Sequence, residues 1–261
     1  MTKRLVMCLL LAISVCCLGS SPGWARSSQT GIQGKDDRQL VDGPGYPWQS
    51  IGRVNNGGRS FCTGILISNN QVLTAAHCLR SRVAGRAWAP ASALHFLAGY
   101  TRGQYLAHSA VVALTIAPSQ PGINKYDNDF AILTLARPVG KTIGYLPVEA
   151  FGRDRWLADR NHGQLYGQAG YSHDRAHILT RHAECAIIGF MKSGRVFAHQ
   201  CDATHGDSGS PILVKRGKKY AVVGLHVASS RRGGNGIAIA GQTLSSGLAA
   251  MWHSLPLAYK R

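Results

Sequence analysis

Val72-Leu73-Thr74-Ala75-Ala76-His77-Cys78 is an apolar strand that stops abruptly at an imidazole beside a sulfur. Two further segments also set a reactive side chain at the end of a strand. Asn128-Asp129-Phe130-Ala131-Ile132-Leu133 leads a carboxylate into a buried-looking strand. Gly206-Asp207-Ser208-Gly209-Ser210-Pro211 holds a hydroxyl between glycines just before another. A serine hydroxyl is a weak nucleophile and needs an adjacent base near neutrality, which imidazole supplies. The imidazole needs a carboxylate on its other nitrogen, to fix the tautomer and steady the imidazolium that forms. A developing oxyanion needs convergent backbone N–H groups, and glycine at 206 lets the amides of Gly206 and Ser208 point into one pocket. The chain order His, Asp, Ser is one of the known orders for such a triad. Asp127 is the competing acid, two residues before Asp129 and outside the entry to the strand.

Around these segments, short β-prone runs recur between Gly, Asn, Pro and Lys/Arg clusters. They are Trp48–Val54, Phe61–Ile67, Gln71–Thr74, Ala93–Ala98, Ala107–Ala117 and Phe130–Ala136. A second set is Gln164–Tyr171, His177–Ile188, Phe197–Cys201, Pro211–Val214, Tyr220–Val227 and Gly236–Ala240. Many short strands with no alternating helices predict an all-β protein of antiparallel sandwiches or barrels. Residues 137–160, richer in Pro, Gly and charge, read as the link between two halves. One helix is expected, near the end, where Leu248, Met251 and Trp252 are spaced to line one face.

The 261 residues include 29 Lys and Arg against 12 Asp and Glu, a formal charge of +17. With 45% hydrophobic residues this is a globular chain, not a disordered or collagen-like one. Lys3-Arg4, the apolar run Leu5–Leu18 and the small Gly23 and Ala25 of Gly23-Trp24-Ala25 predict a secretory signal peptide over 1–25. A lipoprotein anchor at Cys16 or Cys17 is the alternative, but Val15 and Cys16 suit it poorly. Removing 1–25 takes away two basic residues and leaves +15. It also leaves Cys62, Cys78, Cys185 and Cys201, an even set that reads as two disulfides on an exported chain. Zinc is the rival use, but no Cys-x-x-Cys spacing is present. Residues 26–45 are polar and Gly-rich and read as a flexible lead or propeptide.

Taken together, the three motifs resemble the trypsin/chymotrypsin superfamily of secreted serine endopeptidases. The match runs from about Leu40 to the C-terminus. The resemblance implies two antiparallel six-stranded β-barrels, over 46–145 and 146–261, with a short C-terminal helix and the active site in the cleft between them. It implies Cys62–Cys78 and Cys185–Cys201 bridges, a catalytic set of His77, Asp129 and Ser208, and an oxyanion hole at Gly206 and Ser208. Asp37-Arg38 and Tyr46-Pro47-Trp48 resemble bacterial glutamyl endopeptidases, whereas Gly206-Asp207-Ser208-Gly209 is closer to trypsin.

On that resemblance Asp202 falls where trypsin-like enzymes bind Arg or Lys, although glutamyl endopeptidases tend to carry Asp there too. His226 falls where the latter hold a substrate carboxylate, with Ser229 and His205 flanking the pocket; a satisfied core histidine is the plainer reading of His226. Val227 to Ser229 would be the strand edge that pairs with substrate backbone. In trypsin-like zymogens the acid matching Asp207 pairs with a new amino terminus. Leu40-Val41-Asp42-Gly43, after Arg38-Gln39, echoes one; a local Arg or backbone donors are the alternative. His173, His177 and His182 have helical spacing but sit in an expected strand, so neither metal nor cofactor is expected. The charge predicts adhesion to anionic surfaces without specific nucleic-acid recognition. Expected partners are protein or peptide substrates, and the expected location is secreted or periplasmic, with no transmembrane anchor. The competing function is a non-catalytic protein of protease fold that adheres to anionic surfaces.

Overall fold

The computed structural model describes residues 30–254, apart from Pro44, Arg59, Arg82, Ala84, Arg86, 119–125 and 231–233, and side chains as far as Met251. The expected signal peptide and Trp252's side chain lie outside those residues. The lead contributes β1 (Gln39–Leu40). The first half then forms β2 (Ile51–Asn56), β3 (Ser60–Leu66), β4 (Gln71–Thr74), β5 (Leu94–Ala98), β6 (Ala107–Ile116) and β7 (Ala131–Leu135). These last six close into a barrel in the order β2-β3-β4-β7-β6-β5. The second half begins with α1 (Gly140–Ile143) and α2 (Arg153–Asn161). It continues through β8 (Tyr166–Gly170), β9 (Thr180–Cys185), β10 (Ile187–Met191) and β11 (Val196–His199). It ends with β12 (Pro211–Arg216), β13 (Lys219–Ser229), β14 (Gly236–Ala240) and α3 (Gly241–Ser254).

The second sheet has eight strands in the order β1-β9-β8-β12-β13-β14-β11-β10. Only Ala186 separates β9 from β10, so one nearly continuous stretch pairs with β8 at one end and with β11 at the other. Counted as a single strand, it curls the sheet back on itself and gives the six-strand circuit. β1 is an added edge strand, with Gln39 opposite Arg181 and Leu40 opposite Thr180.

Period-two alternation builds the interior. Val54, Leu66, Val72, Phe96 and Leu133 fill the first barrel. Phe151, Tyr166, Ile187, Phe197, Ile212 and Val223 fill the second. Ile51, Ile65 and Leu73, from the opposite face of the first barrel's strands, join Ala169, Leu213, Val222 and Leu225 in a third cluster between the halves. That shared core fixes the seam on which the site lies.

Two expectations change. Residues 137–160 are not merely a link, because α1 and α2 lie within them. α2 buries only Trp156 and Asp159 and is held by ion pairs, Arg155 to Asp159 at 3.2 Å and Arg216 to Asp159 at 2.7 Å, so no apolar period marks it. From residue 30 onward the lead is not a free segment: β1 joins the sheet and Arg38 is buried. At the other end, α3 places Leu244 and Met251 in the shared core with Leu248 packed against it.

Candidate active site

β4 and β7 are neighbours, with Thr74 opposite Ala131, so the residues just beyond their paired ends meet. His77 sits in the short helical turn Ala76–Leu79 that follows β4, and Asp129 immediately precedes Phe130 and β7. The Ala76 N–H donates to the Asp129 carbonyl at 3.2 Å. Asp129 Oδ1 accepts the His77 backbone N–H at 2.8 Å, and Oδ2 lies 2.6 Å from His77 Nδ1. Both carboxylate oxygens therefore fix one imidazole, and Nδ1 carries the proton, which leaves Nε2 as the free base. Asp127 is taken elsewhere: it is buried and paired with Arg195 at 3.0 Å.

Ser208 lies in the turn before β12. Its carbonyl accepts the Thr63 N–H from β3 at 3.0 Å and lies 3.8 Å from Cys78 Sγ. Cys78 adjoins His77 and is bridged to Cys62 on β3. One disulfide thus gathers the Ser208 turn and the His77 turn at the same corner of the first barrel. A second, Cys185–Cys201, ties β9 to the segment after β11. With those sulfurs oxidised, the Cys62, His77 and Cys78 cluster has no thiolate to offer a metal.

Within the turn, Gly206 has φ +95° and Gly209 φ +84°. A Cβ on Gly206 would collide with the Tyr171 carbonyl oxygen, and one on Gly209 with the Thr63 carbonyl oxygen. Both conformation and space therefore demand glycine. The N–H groups of Asp207, Gly209 and Ser210 donate to Thr204, His226 and Asp207 carbonyls respectively. Those of Gly206 and Ser208 donate to no acceptor among the described residues. Two spare donors flanking Asp207, beside the hydroxyl residue, suit a developing oxyanion.

The trypsin family model matches residues 37–245, most of the chain. The chain belongs to the trypsin family. It is a serine endopeptidase, and its sequence is 31% identical to trypsin from Phaedon cochleariae over 78% of this chain and 82% of that protein. It is 28% identical to glutamyl endopeptidase from Bacillus licheniformis over 74% of this chain and 58% of that protein. Among solved structures it resembles a Glu endopeptidase in complex with MPD, with TM-score 0.64 and 20% identity, over 84% of this chain and 98% of that one. No described helix of this trypsin-family protein is long and apolar enough to cross a membrane.

Asp202 is bound by the lead. It is fully buried, with Oδ1 accepting the Gln33 N–H at 2.7 Å and Oδ2 the Asp37 N–H at 2.9 Å. His182 Nδ1 accepts the Asp202 N–H at 3.0 Å. Asp202 thus anchors the lead. Ala203 and Ser229 pack on the same lead: the Ala203 N–H donates to Gly31 at 3.0 Å, and Ser229 Oγ bonds the Ala203 carbonyl at 3.2 Å. His205 is exposed beside His173. His226 still bonds the Ser210 carbonyl and the Gly209 N–H, and beyond it Val227 to Ser229 pair with β14 alone among the described strands.

His226 is buried, and desolvation together with the nearby His77 pushes it down to about 3. Its Nδ1 lies 3.0 Å from His199 Nε2. Burial holds His199 neutral too, and its Nδ1 accepts the Cys201 N–H at 3.2 Å. His199 therefore carries its proton on Nε2 and donates to His226 Nδ1, which leaves His226 with a proton on Nε2. His173, His177 and His182 turn to separate partners, Phe61, Tyr100 and Asp202.

Sequence reasoning missed His199 and the polar groups around Asp207. Asp207 is fully buried and pushed up to about 6 by that burial. Its carboxylate accepts Ser172 Oγ–H at 2.6 Å, the Thr204 N–H at 2.7 Å and Gln168 Nε2–H at 3.3 Å. Two of these donors are side chains and one is a backbone N–H, no Arg bonds Asp207 directly among the described residues, and Leu40 lies in β1.

Proposed function

We propose that this serine endopeptidase works through Ser208, His77 and Asp129, on an exported chain, and cleaves after acidic residues. His77 Nε2 takes the proton from Ser208 Oγ as that oxygen attacks the scissile carbonyl carbon. The tetrahedral oxyanion is received by the N–H groups of Gly206 and Ser208. On collapse the C–N bond breaks, His77 returns its proton to the leaving amine, and an acyl ester remains on Ser208. Water, deprotonated by the same imidazole, then releases the carboxylic acid. The extended substrate pairs with the open edge at Val227 to Ser229, a strand added to the sheet. The observation that carries the reading is the double engagement of His77 by Asp129, at 2.8 Å and 2.6 Å. Two disulfides agree with an oxidising compartment.

Two features favour an acidic side chain in the pocket. Asp202, the acid that would attract Arg or Lys, is spent on the lead. His226 offers an Nε2 proton set by His199, a neutral donor that suits a carboxylate oxygen. Cleavage-site profiling of the full chain on a peptide library tests this. Hydrolysis after Glu or Asp, lost in His226→Ala, is the expected result. A preference for Arg or Lys would contradict it and return Asp202 to the pocket.

A further inference from the structure

Arg38 lies 170 residues before the nucleophile, yet its side chain is wholly excluded from solvent in the second half of the molecule. Its guanidinium is bonded on every side. Nε and Nη2 donate to Asp36 at 2.9 Å and 2.8 Å. Nη1 and Nη2 donate to the two Asp174 oxygens at 3.1 Å and 2.7 Å. Nη1 also donates to Ser172 Oγ at 2.9 Å. Arg175 braces the same cluster, donating to the Arg38 carbonyl at 3.1 Å and to Asp36 at 2.6 Å.

Followed onward, these bonds form a closed circuit around the turn between the two spare amides. Arg38 donates to Ser172 Oγ, and Ser172 Oγ–H donates to Asp207 at 2.6 Å. Asp207 also accepts the Thr204 N–H at 2.7 Å. Thr204 Oγ1–H donates to Asp174 at 3.2 Å, and Asp174 returns to Arg38. Every hydroxyl in the circuit has its direction set by a charged neighbour. An isolated carboxylate at Asp207 would be costly in so dry a place, and Arg38, one hydroxyl away, supplies the compensating cation.

We infer that Arg38 is a positioning residue of the oxyanion turn, so that the chain reaches its working shape with the lead still attached and without a newly released amino terminus. This rests on the peptidase reading above. It reverses the sense of the Arg38-Gln39 junction: a break there would strip the turn of its cation instead of activating it. The Asp202 anchor serves the same end, holding residues 33–37 so that Asp36 and Arg38 arrive in register.

The test uses the full chain with Arg38→Gln, Arg38→Lys and the milder Ser172→Ala, read by amide hydrogen exchange and by steady-state kinetics. The amides of Thr204 and Asp207 should exchange about tenfold or more faster in Arg38→Gln, as fits the loss of a charge-assisted bond. In the same variant kcat should fall about ten- to a hundredfold with KM little changed, because the donors serve the transition state. Arg38→Lys should recover part of both effects, and Ser172→Ala should move both in the same direction. Native exchange with native kcat in Arg38→Gln and Ser172→Ala would overturn the inference. If wild type hydrolysed no peptide while exchange still rose in the variants, the peptidase reading would fall and the role of Arg38 would stand.

Discussion

The Asp207 carboxyl goes from an ordinary value of 3.8 in the unfolded chain to about 6 in the folded one, because burial outweighs its bonds to Ser172, Thr204 and Gln168. Between those values the folded state holds the extra proton, so this residue's contribution to stability falls as pH rises through the window. A shift of that size corresponds to about 3 kcal/mol. His226 and His199 act oppositely: the unfolded chain takes up their protons first, so their contribution falls as pH drops below 6.5. The clean readout is therefore the stability difference between wild type and Asp207→Asn in urea titrations. Wild type should gain about 2.5 kcal/mol on the variant from pH 7 to pH 4; a constant gap would contradict the burial argument. Asp36 and Asp174, lowered by Arg38, add their loss only as pH falls below 3.8. At this scale the pairing of His77 with Asp129 was legible, because each sits in a short motif whose neighbours declare it. Arg38 was not: its partners Ser172 and Asp174 lie 134 and 136 positions away, and nothing local marks them.

Among the elements, the two halves of the site ride on different parts of the fold and are pinned by one covalent bridge. Cys62 on β3 and Cys78 after β4 are 16 positions apart, a loop whose closure is worth about 3 kcal/mol. Replacing both with Ser should lower stability by about that amount in denaturant titrations. Because Ser208 rests against Cys78 and Thr63, it should also depress kcat more than the matching change at Cys185 and Cys201. Equal losses of activity from the two pairs would argue against the bridge as the clamp between nucleophile and base. The strands were readable as short β-prone runs between turn residues, down to Gly236–Ala240 and to Gln71–Thr74, whose Val72 and Leu73 meet a core on each face. α2 was not readable, since charge pairs and one Trp hold it. The turn between β12 and β13 is tight, with Arg216 opposite Lys219 and only Gly217-Lys218 between them. Pairing β1 onto β9 was beyond local reading as well, because two residues carry no period.

For the whole molecule, function follows from a shared core that sets two sheets against each other. Ile51, Ile65 and Leu73 meet Leu213, Val222 and Leu225 there, and segments beside that core carry His77, Asp129 and Ser208, the triad proposed above. A formal charge of +17 favours contact with anionic surfaces but asks for none of these alignments. What separates an enzyme from an adhesive protein of the same shape is whether the Ser208 hydroxyl is activated. The most direct measurement is covalent labelling of the folded full chain by a fluorophosphonate, with the adduct located by mass spectrometry. The account predicts one adduct, on the peptide that carries Ser208. It should be absent in Ser208→Ala and about ten-thousandfold slower in Asp129→Asn, where the imidazole loses the partner that fixes its tautomer. A folded protein that takes no label, or takes it on another residue, would contradict the account.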